Sequence, residues 1–357
     1  MANEEERHLQ ERTTGRRVFA LDALRGLASC VVVAFHARYL AYFYDPHWWQ
    51  VPFFAGHQAV VLFFVLSGYV LSLSYWRGRS LPYGRYFVRR LFRIWVPFAA
   101  ALFVALPFAI KLNGSKIPLS RWFYQTWHTP VTGKLVLQGL LMSNRPDINT
   151  AFWSLRYEVL MSIVFPPLCW AFLRIGPVAS GFFGLALLAA GAVLHSATLT
   201  WAACFVLGAA LAGGYPSWKS RLTRLPSWAW GSIAVLSLAA YFYGNDIVIA
   251  FGACGLLLVA QTESVERLLD WPLPEYLGRI SYSLYLVHGT VLFAVVILLY
   301  GRMPLNFLLA LGVVLSFPVA HLFCVLVEEP STALGRYLTR EKKSVAAIQR
   351  ESHTESR

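Results

Sequence analysis

Long apolar runs recur along this chain from residue 20 to residue 327, and they constrain its fold more than any other feature. Hydrophobic residues make up 57% of the 357 residues and charged residues only 14%, whereas a soluble globular domain is about 25% charged. A helix needs about 20 mostly apolar residues to cross the hydrocarbon core of a bilayer. The runs therefore predict an all-α polytopic membrane protein.

The spacing of the runs predicts about ten transmembrane helices. They lie near residues 20–40, 58–76, 94–110, 152–173, 178–194, 198–214, 228–243, 245–261, 281–300 and 305–327. Most lysines and arginines fall between these runs on the side that holds both ends of the chain. Because basic residues are enriched in cytoplasmic segments, both termini are predicted to be cytoplasmic.

The net charge of +13 is interpreted as an orientation signal toward membrane lipids, so no nucleic-acid partner is expected. Residues 1–18 and 336–357 are predicted to be cytoplasmic tails on either side of one membrane domain, 19–335. The five cysteines lie inside apolar runs and show no C-x-x-C spacing. They are interpreted as small buried hydrophobes, and no metal site is expected. The first run shows no clear cleavage site and is expected to be retained.

The first apolar run, FALDALRGLASCVVVAFHARY at residues 19–39, contains Arg25 and His36. These residues are 11 positions apart, so on a helix they differ in direction by about 20° and lie about 16 Å apart along the axis. An arginine at the centre of a span costs at least about 2.5 kcal/mol, and it normally faces protein or water. An ion pair of Arg25 with Asp22 and a structural hydrogen bond of His36 are the alternatives. Together, on one helix face, the two residues favour a lined cavity.

The segment LDALRGLASCVVVAFH resembles the opening motif of acyltransferase family 3, in which an Arg or Lys is followed by ten residues and then a His. Segments similar to the family follow in order: VLFFVLSGYVLS (61–72), RYFVRRLFRIWVP (85–97), WSLRYEV (153–159), SYSLYLVHG (281–289) and VEEP (327–330). The resemblance covers about residues 18–335, so it extends over nearly the whole chain.

This resemblance implies a membrane enzyme that O-acylates an envelope carbohydrate, a lipid-linked sugar or a similar hydroxyl acceptor. It implies about ten helices in the inner membrane and an acyltransferase domain at 19–335. Acyl-CoA, most commonly acetyl-CoA, is implied as the co-substrate on the cytoplasmic side, with no permanently bound cofactor. The acceptor of such enzymes commonly lies at or beyond the outer face.

Arg85, Arg89 and Arg93 follow one another at one-turn spacing within RYFVRRLFRIWVP, which predicts a basic stripe on one helix face. A guanidinium group offers a fork of donors that matches phosphate oxygens. CoA carries a diphosphate and a 3′-phosphate, so the stripe and Arg25 are predicted to bind the acyl donor. Anchoring on anionic lipid is the alternative for the stripe.

SYSLYLVH places Ser281, Tyr285 and His288 on one face of a helix that starts at the cytoplasmic side. Tyr285 and His288 are predicted to line the passage of the donor. Hydrogen bonds between helices are the alternative for both residues.

Acyl transfer from a thioester to a hydroxyl needs a base for the hydroxyl proton and donors for the oxyanion. His36, which matches the histidine of the family motif, is predicted to be that base. The family resemblance covers Glu158, which is therefore predicted as a second catalytic residue. It is expected about one turn inside the outer end of its helix, where a carboxylate is expensive unless paired. Its partner is left open between Arg156, His36 and an acceptor hydroxyl, and a structural pair with Arg156 is the alternative.

A transporter is the competing function, because proton-coupled carriers also use His, Glu and Arg inside the membrane. The sequence shows no repeat that relates two halves of the chain, and no matched pair of spans broken by Gly or Pro. Many transporters are built from such repeats. The acyltransferase interpretation is therefore preferred.

Overall fold

The computed structural model describes residues 2–41, 47–143, 148–149, 152–222 and 224–340. For residues 2–19 and 219–221 it describes only the backbone. Within these residues, every regular element is helical and no strand occurs. The helices are α1 (Ala2–Ala41), α2 (Gly56–Trp76), α3 (Tyr83–Arg90), α4 (Val96–Lys111), α5 (Gly133–Leu140), α6 (Phe152–Val193), α7 (Ala197–Leu222), α8 (Ser227–Tyr243), α9 (Asp246–Val259), α10 (Glu263–Leu269), α11 (Pro272–Leu299), α12 (Leu305–Phe323) and α13 (Glu329–Leu338).

Seven helical segments of the described chain are long and apolar enough to cross a membrane. An eighth is added if α9 and α10, which meet at 85°, form one broken span. The prediction of an all-α polytopic membrane protein is therefore confirmed. The total of about ten spans and the side of each terminus stay predictions.

The predicted ten spans and the seven or eight spanning segments of the structure differ at α6 and α8. Helix α6 has 42 residues, which would make a straight helix about 63 Å long, twice the hydrocarbon thickness of about 30 Å. Gly176 interrupts it with φ 79° and ψ 168°, a conformation that favours glycine, and Pro177 follows. This kink lies between the two spans predicted at 152–173 and 178–194. Helix α8, predicted as a span at 228–243, has 17 residues.

The predicted tails meet the helices differently at the two ends of the chain. Helix α1 begins at Ala2, so the backbone of most of the predicted tail 1–18 continues the first span. Helix α13 carries the last span to Leu338. The remainder of the C-terminal tail, 341–357, lies outside the described residues.

Helices α2 and α7 cross at backbone contact. A Cβ atom added to Gly68 would lie 1.9 Å from the Phe205 carbonyl oxygen, and one added to Gly208 would lie 2.0 Å from the Val65 carbonyl oxygen. Only glycine allows two helices to approach so closely. This crossing forms one side of the hydrophobic core.

Helices α1 and α11 approach in the same way and run parallel. A Cβ atom added to Gly26 would lie 2.6 Å from the Gly278 backbone nitrogen, and one added to Gly278 would lie 2.6 Å from the Asp22 carbonyl oxygen. This crossing lies near the face of the bundle at which α13 ends, which we call the C-terminal face. The contact fixes which residues of α1 lie level with which residues of α11.

Candidate active site

A cavity of about 390 Å³ enters the bundle between α1, α2, α3, α6 and α11. It reaches the C-terminal face, where Asp22 and Arg279 at its rim have side-chain exposures of 43% and 53%. Its charged lining residues are Arg25, Arg89, Arg90, Arg93, Arg279, Asp22, Glu158 and Glu328. Arginines outnumber acids on these walls, so the cavity favours an anionic ligand.

Two of the cavity arginines are neutralised by acids on its own walls. The Arg25 Nη1 atom lies 2.9 Å from the Asp22 Oδ1 atom, which realises the ion pair considered for Arg25. The Arg90 Nη2 atom lies 3.3 Å from the Glu158 Oε1 atom. Arg90 also donates to the Ser162 hydroxyl at 2.9 and 3.0 Å.

Arg89 and Arg93 differ from these because no ion pair is found for either of them among the described residues. The Arg89 Nε atom donates to the Thr339 hydroxyl at 2.7 Å. Arg93 is exposed within the cavity. An arginine in such a setting keeps its charge and its fork of donors available for phosphate oxygens.

Two π-helical turns shape this end of the cavity: Leu91–Trp95 between α3 and α4, and Cys324–Glu328 between α12 and α13. A π turn leaves backbone carbonyls without their regular partners. The Tyr282 hydroxyl donates to the Ile94 carbonyl at 2.8 Å, and the Ser331 hydroxyl donates to the Phe92 carbonyl at 2.6 Å. These side-chain bonds hold the arginine-bearing turn against α11 and α13.

The inner end of the cavity is closed by Tyr285 and Ser154. Their hydroxyl oxygens are 2.5 Å apart, and both residues are buried. The Phe63 ring packs edge-on against the Tyr285 ring with centroids 5.9 Å apart. On the far side, the Tyr285 ring centroid lies 6.0 Å from that of His288, so Tyr285 separates the cavity from the histidines.

Beyond Tyr285, His36 and His288 form a buried pair. His36 is 9% exposed and His288 is 0% exposed. The His36 Nδ1 atom lies 2.8 Å from the His288 Nε2 atom. The His288 Nδ1 atom lies 2.9 Å from the Leu284 carbonyl oxygen. The pair is thus a chain of two hydrogen bonds that ends on the backbone of α11.

The Leu284 carbonyl fixes the protonation pattern of this chain. A carbonyl oxygen only accepts, so His288 Nδ1 must carry the hydrogen. In a neutral His288 the Nε2 atom then accepts, and His36 Nδ1 must donate to it. The lone pair of His36 is therefore placed on Nε2, for which no hydrogen-bond partner is found among the described residues. This atom is a base without a proton.

The sequence brings the two histidines together through the crossing of α1 and α11. Gly26 precedes His36 by ten residues, and Gly278 precedes His288 by ten residues. Since the helices are parallel and touch at the glycines, equal spacing brings both side chains to the same level, about 15 Å further on.

The connection between α4 and α6 covers the histidine pair from the face opposite to the C-terminal face. The Trp122 ring stacks on the His36 ring with centroids 5.2 Å apart and planes 7° apart. The Ser120 hydroxyl contacts the Leu40 carbonyl at 3.0 Å, which ties this connection to the end of α1. The Asn149 amide donates to the Leu286 carbonyl at 2.7 Å, which ties it to α11.

The predicted site residues fall into three groups. Arg25, Arg89, Arg93, Glu158 and Tyr285 line the cavity, whereas His36 and His288 form the pair behind it. Arg85 is half-buried and lies outside the cavity lining. The roles assigned to all of these residues stay predictions.

Glu158 has a partner that the sequence did not indicate. It was expected at the start of its helix near the outer face, with a partner left open. The structure pairs it with Arg90, among the arginines of the cavity. The partner of this carboxylate is a residue of the basic stripe segment that lies 68 positions earlier.

Sequence reasoning missed Arg90, Glu328 and Trp122 as site residues. Arg90 stood in the basic segment but off the selected stripe. Glu328 stood in VEEP, which the sequence analysis used only for the family resemblance, yet it lines the cavity and accepts from the Ser283 hydroxyl at 2.5 Å. Trp122 lies in a connection whose fold the apolar pattern does not predict. Within the described residues, no group of three or more His, Cys, Asp or Glu side chains could hold a metal ion.

Comparison with known proteins identifies a family for this chain. A family model described as "Acyltransferase domain" matches residues 18–328, which is nearly the whole chain. No curated protein and no solved structure matches the chain significantly.

Proposed function

Because the chain belongs to acyltransferase family 3 and is an acyltransferase, we propose that it transfers an acyl group from acyl-CoA to a hydroxyl group. The proposed acyl group is acetyl. The proposed acceptor is an envelope carbohydrate, a lipid-linked sugar or a similar molecule. The observation that carries this proposal is the buried pair in which His36 Nε2 holds a lone pair at the end of an arginine-lined cavity.

The charged cavity supports CoA as the donor. No close ion pair is found for Arg89 or Arg93 among the described residues, and each offers a fork of donors for the CoA diphosphate. The narrow pantetheine arm would then extend along the cavity toward Tyr285, where the thioester meets the Ser154–Tyr285 hydrogen bond. Displacing one hydroxyl of this bond opens the way to His36.

In the proposed reaction, His36 Nε2 takes the proton of the acceptor hydroxyl as the hydroxyl oxygen attacks the thioester carbonyl. A carbon–oxygen bond forms and the carbonyl becomes a tetrahedral oxyanion. Its collapse breaks the carbon–sulfur bond, and the CoA thiolate receives the same proton from His36. The products are the ester and CoA–SH, and His36 returns to its starting state.

His288 serves this reaction without touching the substrates. Its Nε2 atom accepts from His36 Nδ1, so it holds His36 in the tautomer whose Nε2 is the base. When His36 takes the acceptor proton, the same bond stabilises the imidazolium that forms. His288 is thus a positioning residue in this proposal.

The finer topology belongs to the same proposal. About ten spans are counted when α6 is divided at Gly176 and α8 is included. The C-terminal face would be the cytoplasmic face of the inner membrane, since arginines concentrate there. The donor then enters from the cytoplasm and the acceptor from the opposite face, so the nucleotide itself never crosses.

The test combines binding with the chemistry of the envelope. The purified protein in nanodiscs is titrated with CoA, and envelope glycans and lipids of cells with and without the gene are compared by mass spectrometry. We expect saturable CoA binding and an acyl mass difference on one class of molecule. Absence of both, or a proton-coupled flux in vesicles without acyl transfer, would contradict the proposal in favour of a transporter.

A further inference from the structure

A second basic cavity lies on the C-terminal face, beside the cavity described above. It encloses about 370 Å³ and is lined by Arg89, Ala333, Arg336, Tyr337 and Arg340. In the part of the chain that the structure describes, this lining contains three arginines and no acid. Arg336 lies in the last turn of α13 and Arg340 lies two residues beyond the end of that helix, and both line this cavity.

The arginines of this cavity differ from their neighbours in their pairing with acids. No ion pair is found for Arg336 or Arg340 among the described residues, and both are exposed. This contrasts with Arg279 and Arg267 on the same face, which pair with Glu329 at 2.7 Å and with Glu263 at 3.2 Å. The cluster therefore concentrates positive charge that an anion is needed to neutralise.

Close packing of α13 on the π turn brings this cluster to the first cavity. A Cβ atom added to Gly335 would lie 2.7 Å from the Phe92 Cβ atom and 3.7 Å from the Arg89 Cα atom. Arg89 donates to Thr339 from this position. Because Arg89 lines both cavities, a ligand that follows its guanidinium group passes from one to the other.

The cavity also offers an aromatic ring. Tyr337 is 69% exposed, so a face of its ring is open to a flat ligand. Stacking of a base on an aromatic ring is favourable and tolerates any base. A ring beside three arginines matches a nucleotide that carries a phosphate on its ribose.

The two cavities are spaced for one extended molecule. Ser283 hydrogen-bonds Glu328, His288 lies five residues beyond Ser283, and Arg336 lies eight residues beyond Glu328 in the opposite direction. The segment Leu305–Leu338 continues as one span. The histidine pair and Arg336 are therefore about 20 Å apart along the helix axes, which requires a ligand with a long arm between its reactive end and its phosphates.

We propose that Arg336 and Arg340 bind the 3′-phosphate of acyl-CoA while Tyr337 stacks on the adenine. Arg89, shared by the two cavities, then contacts the diphosphate at the point where the pantetheine arm enters the first cavity. This inference rests on the proposed function, since it assigns the nucleotide end of the same donor. The phosphate of an anionic lipid has the same chemistry and is the competing source.

The test compares CoA with 3′-dephospho-CoA, which lacks only the phosphate in question. Both are titrated against the full-length protein in nanodiscs, once with neutral phosphatidylcholine alone and once with anionic phosphatidylglycerol added. The variants are Arg336→Gln, Arg340→Gln and their combination. Arg267→Gln is the matched control, because Arg267 lies on the same face and outside both cavities.

We expect the wild-type protein to prefer CoA, and the double variant to lose about tenfold in CoA affinity. Its affinity for 3′-dephospho-CoA stays within about twofold of wild type, so the preference disappears, and it does so in both lipids. The control keeps the wild-type preference.

Four results would overturn the inference. An unchanged preference for CoA in the double variant would remove the phosphate contact. Equal losses for both ligands would assign the arginines to a group that the two ligands share, and a loss only in anionic nanodiscs would assign them to lipid headgroups. If wild-type protein binds neither ligand, the proposed donor itself is wrong, which is distinct from a protein that binds CoA without using these arginines.

Discussion

The charged cavity and the histidine pair are both polar regions inside an apolar bundle, yet they are built in opposite ways. The cavity is open at the C-terminal face and is lined by five arginines and three acids. The histidine pair is buried, with Tyr285 on its cavity side and Trp122 stacked on His36, and it contains no formal charge when both rings are neutral. Open, charged walls suit binding, whereas a dry and uncharged chain of hydrogen bonds suits proton transfer.

The sharpest way to test this contrast is to remove the base. His36→Gln is expected to lower acyl transfer by about 100- to 10,000-fold, the usual contribution of a positioned proton acceptor. Because His36 lies outside the cavity lining, CoA affinity should remain near that of wild type. Transfer, CoA affinity and thermal stability are measured on one preparation. Near wild-type turnover in a stable protein would exclude His36 as the base.

A smaller effect is expected from His288, because it acts only through His36. His288→Leu removes the acceptor and leaves the buried Nδ1–H of His36 unsatisfied, which costs about 1–3 kcal/mol and predicts a loss of about tenfold to a hundredfold. His288→Gln keeps an acceptor oxygen and should recover part of that loss. The pH–rate profile should shift in the leucine variant. Equal activities and profiles in both variants would mean that the tautomer is not set by this bond.

Arg93 and Arg85 divide the basic stripe into a cavity part and an outside part. Arg93→Gln should weaken CoA binding about tenfold, because a charge-assisted phosphate bond is worth about 1.5–3 kcal/mol. Arg85→Gln, a change of the same chemistry outside the lining, is the matched control and should alter the affinity less than about threefold. Isothermal titration with CoA measures both. Equal losses would restore the whole stripe as the donor site.

The smallest effect is expected from Glu158, which the sequence suggested as catalytic. In the structure it neutralises Arg90 within the open cavity. Glu158→Gln should therefore change CoA affinity by about threefold and leave kcat nearly unchanged. A fall in kcat of a hundredfold or more, with CoA affinity retained, would make Glu158 a catalytic residue and weaken the division between the two regions.

Local periodicity was sufficient for the features that lie on one helix. The helical period predicted that Arg25 and His36 share a face, and it identified Asp22 as a partner for Arg25, which the structure confirms at 2.9 Å. The apolar runs likewise located the boundary at Gly176 between two predicted spans. These features depend on neighbours within a few turns, so sequence spacing contains them.

Helical periodicity could not predict contacts between helices that are far apart in the sequence. His36 and His288 are 252 residues apart in sequence, and only the crossing of α1 and α11 brings them together. The one available signal was the equal ten-residue spacing from Gly26 to His36 and from Gly278 to His288. Glu158 could not be assigned to Arg90 for the same reason, because side-chain direction in a bundle depends on packing that no single helix encodes.

The crossing of α1 and α11 at Gly26 and Gly278 determines the distance between His36 and His288, although the crossing lies far from both. A hydrogen bond between ring nitrogens tolerates only a few tenths of an ångström before it weakens. A single methyl group at Gly26 or Gly278 has no room, since it would meet backbone at 2.6 Å, and the helices would have to separate. Two residues without side chains, about 15 Å away along the helices, therefore control the length of the hydrogen bond between His36 and His288.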